Sequence, residues 1–166
     1  MSMNSDSMIL SSIMYFSYSQ FLVFDTSRAA RPGLDWTQEH FNQGFARQED
    51  NVSFRTLLEF GHAELSIHLG PYEPRGEHER VIEVPLEVPS GEVVIAGPEE
   101  FEDTRTLKMP PGHYRLVAAQ TALDEDRQVV DLFFEKVNEQ LSRSRLILAD
   151  RELRPSGELL ESAELA

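Results

Sequence analysis

The 166-residue chain carries 29 acidic against 15 basic residues, a formal charge of -14, with 40% hydrophobic residues and no cysteine. That length gives a prior of one globular domain, able to bury roughly two-thirds of its unfolded surface without a staple. The missing cysteine excludes disulfides, thiolate metal sites and a Cys nucleophile, and the acidic balance argues against direct binding to nucleic acid or an anionic membrane, since both need surplus Lys and Arg.

Residues 1–12 read as a flexible N-terminal tail. No Lys or Arg precedes Arg28, so the basic start of a signal peptide is missing. No apolar run reaches the about eighteen residues of a membrane span, and a cytoplasmic location is expected. From Met14 the apolar residues alternate through Phe16, Tyr18, Leu22 and Phe24, which predicts one long strand over 14–25. Asp35 reads as an N-cap with Gln38 as its capping-box partner, ahead of Trp36, His40, Phe41 and Phe45 at helical spacing; a short helix is expected near 36–46.

Period two then returns. Val52 to Phe60 and Ala63 to Leu69 alternate on either side of Gly61-His62 and read as a hairpin. Gly70 to Glu79 reads as an exposed loop. Ile82, Val84, Leu86 and Val88 mark a strand that Pro85 assigns to a sheet edge. Further strands are expected at Glu92–Ala96, Thr104–Met109, from Tyr114 onward, and over Gln128–Val137. Eight short strands and one helix predict a mainly antiparallel β-sandwich over 13–137. Residues 138–166 form a C-terminal extension, expected to be helical to Asp150 and disordered beyond it. Phe54, Leu65, Val84 and Leu116 are predicted core residues.

Catalytic signatures are thin. The five histidines show no metal-ligand spacing, and no nucleophile elbow, phosphate-binding loop or dinucleotide fingerprint occurs. Neither enzyme activity, a metal nor a cofactor is expected. The acidic residues are more informative. Residues 71–103 hold ten carboxylates against Arg75 and Arg80, either a solvated surface or a patch complementary to a basic partner.

Several segments in order and spacing resemble the competence protein J family: Phe16-Ser17-Tyr18-Ser19-Gln20-Phe21-Leu22-Val23-Phe24, Leu34-Asp35-Trp36-Thr37 with Gly44-Phe45-Ala46, Val52-Ser53-Phe54, the Val81–Val88 strand, and Leu107 to Leu116 through Pro110-Pro111-Gly112. The resemblance spans about residues 14–137. It implies a non-catalytic, stoichiometric inhibitor of a DNase, either of the DNA-entry type or a toxin for which this chain is the immunity protein. The Gly70–Glu79 loop is longer than the family pattern, and residues 138–166 have no counterpart in it.

A DNase presents Lys and Arg to phosphates, so a rigid acidic surface would complement its groove. If Thr104–Met109 and Gly112–Thr121 pair as a hairpin, Glu99, Glu100, Glu102 and Asp103 lie at the same end as Asp124, Glu125 and Asp126. That end is the expected partner-binding surface, with the helix start at Asp35 and Trp36 as the next candidate. The rival reading is a small-molecule or carbohydrate-binding sandwich in which Trp36 and nearby tyrosines act as a stacking platform.

Overall fold

Two sheets face each other across a core of Phe, Val, Leu and Ile side chains, to which both contribute through alternate residues. The computed structural model describes residues 8–28, 32–99 and 104–166. Eleven strands and one helix occur among them: β1 (Met8–Phe16), β2 (Gln20–Asp25), α1 (Gln38–Gln43), β3 (Phe45–Gln48), β4 (Asn51–Arg55), β5 (Gly61–Leu69), β6 (Arg80–Val88), β7 (Glu92–Ala96), β8 (Thr104–Lys108), β9 (Gly112–Ala122), β10 (Arg127–Val137) and β11 (Arg145–Leu148). One sheet runs β1-β5-β10-β9-β6-β11 and the other β3-β4-β2-β7-β8. The pairs are antiparallel apart from β5 with β10, which run parallel. No described helix is long and apolar enough to cross a membrane.

The mainly β sandwich with one short helix is as predicted, and Phe54, Leu65, Val84 and Leu116 are all buried. Three strands were hidden. The expected strand over 14–25 is two strands in opposite sheets, joined by Ser17–Ser19, where Tyr18 and Ser19 take positive φ values of 53° and 59°. The crossing shifts the phase by one residue: Met14 and Phe16 point into the core from β1, whereas Phe21 and Val23 do so from β2. Residues 8–12 belong to β1 and not to a loose tail; residues 1–7 lie outside the described set.

The expected hairpin across Gly61 is absent. β4 pairs with β3 and β2, and β5 with β1 and β10 in the other sheet. Gly61 is instead a close-approach position, where a Cβ would sit 2.2 Å from the Asp126 carbonyl oxygen. β8 and β9 likewise lie in different sheets; the hairpins are β3–β4, β7–β8 and β9–β10.

The helix begins two residues late. Thr37 is the N-cap: its hydroxyl accepts from the His40 N–H, and its own N–H donates to His40 Nδ1 at 3.0 Å. Asp35 lies two residues before the cap, in extended chain whose N–H donates to the Glu164 carbonyl at 2.7 Å and whose neighbour Leu34 bridges to Leu165. An extended backbone is fixed there by the C-terminal segment.

That segment overturns the expectation of a helical, then disordered, extension. Arg145–Leu148 is a strand on the outer side of β6, reaching only Val81–Glu83 and leaving Pro85 beyond its end. Leu153 and Ala163 are buried. Polar bonds hold the rest: His40 Nε2 donates to the Ser162 carbonyl at 2.9 Å, Gln43 to the Leu160 carbonyl at 3.0 Å, and Arg47 to the Glu161 carbonyl at 2.9 Å. Arg80, fully buried, binds Asp150 through two bonds of 2.8 and 2.9 Å and donates to the carbonyls of Arg55 and Thr56.

Candidate protein-interaction surface

Three loops meet at one end of the sandwich. Ser17–Ser19 carries the chain from one sheet to the other; residues 56–60 do the same between β4 and β5; residues 123–126 close the β9–β10 hairpin. Backbone bonds tie them together. Ser19 N–H donates to the Glu59 carbonyl at 2.7 Å, Thr56 N–H to the Ser19 carbonyl at 2.9 Å, and His62 N–H to the Asp126 carbonyl at 2.8 Å. The polar core beneath is closed: Gln120 and Gln128, both fully buried, bond each other and receive the N–H groups of Leu57 and Leu58. The loops therefore sit on a fixed base.

The β9–β10 turn presents Asp124, Glu125 and Asp126, all exposed. Asp124 organises it, accepting from the Asp126 N–H at 3.1 Å and from Arg127 Nε at 2.9 Å. The Arg127 hydrogen bond, then the Asp126 N–H, hold the Asp124 carboxyl below the ordinary carboxylate range. Arg127 is the nearby cation, and Asp124 and Glu64 already engage it at 2.8 and 3.6 Å. Asp126 joins this network through a side-chain bond to Asp124 and its attraction to Arg127, and Glu125 and Asp126 both stay exposed.

Of the other expected contact residues, Glu99 is half-buried just after β7; Glu100, Glu102 and Asp103 lie outside the described residues. β8 pairs with β7 and not with β9, yet register brings Glu99 to this end too. Ala96 pairs with Leu22, near the start of β2, and β2 begins directly after the 17–19 crossing. Asp35 is exposed, and Trp36 lines a cleft of about 230 Å³ with Tyr18, Ser19, Gln20, Leu34 and Phe41. Trp36 Nε1 is buried there without an acceptor, and the Arg55 guanidinium lies 3.7 Å over the Phe41 ring.

The described carboxylates of the acidic run, Glu73 to Glu99, do not form one patch. Glu83 is buried, 3.6 Å from Arg115 and 3.3 Å from Arg145. Glu87 lines a cavity of about 730 Å³ with Arg28, Glu49, Asp50 and Glu161. That cavity lies at the β3–β4 turn, the end of β4 opposite the three loops. A hydrogen bond with Glu49, then burial and the Glu49 charge, push the Glu87 carboxyl up. Sequence reading missed this cluster because its acids come from distant segments.

The buried histidines are structural. His78 Nε2 bonds Asp131 at 2.9 Å, both buried, and clamps the 70–79 loop onto the outer face of the six-stranded sheet. His68, on that same face, stacks on Phe133 at 4.6 Å, and burial pushes its pKa down. Tyr72 closes this small second core with Val81, Val117 and Ala119. Among the described residues no three His, Cys, Asp or Glu side chains converge as a metal site.

The family model described as Competence protein J (ComJ) matches residues 13–146. Among solved structures, ComJ from Bacillus subtilis, described as an inhibitor of the DNA-degrading activity of NucA, superposes with a TM-score of 0.69 at 22% identity, covering 78% of this chain and 97% of that one. A structure described as Crocagin biosynthetic gene J aligns with a TM-score of 0.45 at 14% identity, over 75% of this chain and 98% of its own. No curated protein matches the chain.

Proposed function

The chain belongs to the competence protein J family, and from that premise we propose that it is a non-catalytic protein that binds and inhibits a DNase in the cytoplasm. The observation that carries this reading is the family match over residues 13–146. The fold it shares with an inhibitor of a DNA-degrading nuclease supports it, as does a net charge of -14.

The physical logic is electrostatic. A nuclease concentrates positive charge where phosphates bind, and a protein of opposite sign reaches that groove faster than a neutral one and displaces DNA from it. The three-loop end is the proposed contact, with Glu125 and Asp126 among its exposed carboxylates. Glu99, Glu100, Glu102 and Asp103 are proposed to extend it, and Asp35 and Trp36 to flank it. The partner is a basic DNase protein.

The test is a titration. Increasing amounts of the chain are added to the DNA-entry-type nuclease encoded in the same genome, with NucA of Bacillus subtilis as a reference, and plasmid degradation is followed. Inhibition that saturates at a fixed molar ratio is the expected result. Undiminished cleavage by the native host's nucleases at a large excess of the chain overturns the reading.

A further inference from the structure

We propose that Tyr18, Phe60 and Leu123 are the apolar anchors of the face that docks onto the basic nuclease. The inference rests on the inhibitor reading above and assigns the tight part of the contact to residues that carry no charge. The three side chains are 70%, 56% and 46% exposed, one on each of the three bonded loops. Large apolar side chains scattered singly over a surface need no explanation. Three on loops bonded to one another are gathered at one end of the sandwich, and exposed aromatic residues are the usual hot spots of protein interfaces.

The backbone at Tyr18 points the same way. Tyr18 and Ser19 are the two described non-glycine residues with positive φ, a conformation that L-residues adopt at a cost and that concentrates at functional sites. Its effect is to turn Tyr18 out of the alternation that would have buried it beside Phe16. Next to Tyr18 lies the cleft walled by Leu34, Trp36 and Phe41.

Charge selects the occupant. Glu59, Asp124, Glu125 and Asp126 are all exposed around the apolar residues, and Arg127 is already paired. An apolar centre with an acidic rim fits a protein surface whose apolar spot is ringed by Lys and Arg. It repels a second copy of this chain, which would bring the same negative rim.

Serine is placed singly at Tyr18, Phe60 and Leu123. Each variant is compared with wild type by thermal melting, by stopped-flow binding to the genome's own DNA-entry-type nuclease, and by sedimentation velocity. Melting should shift little, since all three side chains are largely solvent-exposed. Tyr18→Ser and Phe60→Ser should weaken inhibition at least about tenfold through faster dissociation, with association rate and salt dependence retained. If wild type inhibits and all three variants inhibit within about twofold of it, the anchors are refuted while the nuclease reading stands. A wild-type dimer that the substitutions dissociate, with inhibition intact, makes the patch a self-interface and equally refutes the proposal. A wild type that inhibits no nuclease removes the reading underneath, and the inference with it.

Discussion

Leu153 is the sharpest test of how the C-terminal extension is held. It is 5% exposed, and its two methyl carbons lie 2.9 and 3.3 Å from where a Cβ on Gly44 would be. Gly44 closes α1 with a φ of 92° and a backbone bond to the His40 carbonyl. The leucine is thus seated against the bare backbone of a helix cap. Leu153→Ala removes three carbons from a site walled by Ile82 and the cap, and a buried leucine truncation of this kind costs about 2–5 kcal/mol. For a chain of this size a mid-range loss of about 3 kcal/mol lowers the melting temperature by roughly 6–12 °C. Gly44→Ala meets both Leu153 and Ile82 at 2.9 Å and adds a disfavoured φ, for about 1–3 kcal/mol. In the double variant the Leu153 clash is gone, so the two costs should sum to more than the measured total. Calorimetry or circular dichroism on the four proteins closes the cycle. A Leu153→Ala melt within about 2 °C of wild type, or strictly additive losses, would show that the segment does not sit on the cap.

Further outcomes follow from other sites. Arg80→Met should cost about 3–5 kcal/mol, because it strands Asp150 and two carbonyl groups in a buried setting. Asp150 itself is raised by burial but pulled down further by the hydrogen bonds and charge of Arg80, so its net pKa lies below 3.8. Its contribution is therefore complete above that value and fades as pH falls through the lowered pKa. Urea titrations between neutral pH and pH about 3 should show a shallower acid loss in Asp150→Asn than in wild type; equal slopes would refute the pair's role. Phe54→Ala, at a fully buried position, should lose about 3–5 kcal/mol, and a loss below about 1 kcal/mol would contradict its place between the sheets. Reversing Glu125 and Asp126 to Lys should slow association with the nuclease at low salt and converge with wild type at high salt, without changing the melt. Unchanged association kinetics would leave those carboxylates as solvated surface.

Alternation made most strands legible, because a half-buried strand writes its buried face directly into the sequence. It does not write its partner. Val52–Phe60 and Ala63–Leu69 have the pattern of a hairpin, but the intervening glycine serves the approach of the 123–126 turn. The crossing at Ser17–Ser19 was hidden for a related reason: alternation continues through it, and only the one-residue phase slip, with Tyr18 turned outward, marks the change of sheet. β11 is an unbroken apolar run, Leu146-Ile147-Leu148, with no alternation to mark a strand, and the segment after it carries few apolar residues. Their order comes from bonds to His40, Gln43, Arg47 and Arg80, pairings between distant polar residues that no periodicity reveals. The acid turn at 124–126 was readable as local composition; the apolar anchors around it needed the loops to be assembled first.

The parallel pairing of β5 with β10 bears on how the protein is made. Every rung from His62–Arg127 to Leu69–Phe134 joins residues 65 positions apart, and β10 lies between β5 and β9 in the sheet. β5 is therefore complete in the chain well before the strand that covers its inner edge has been made. High contact order of this kind slows folding and lengthens the time for which an uncovered edge is available for aggregation. Truncation anywhere before β10 removes the shared partner of β5 and β9 and with it the middle of the six-stranded sheet.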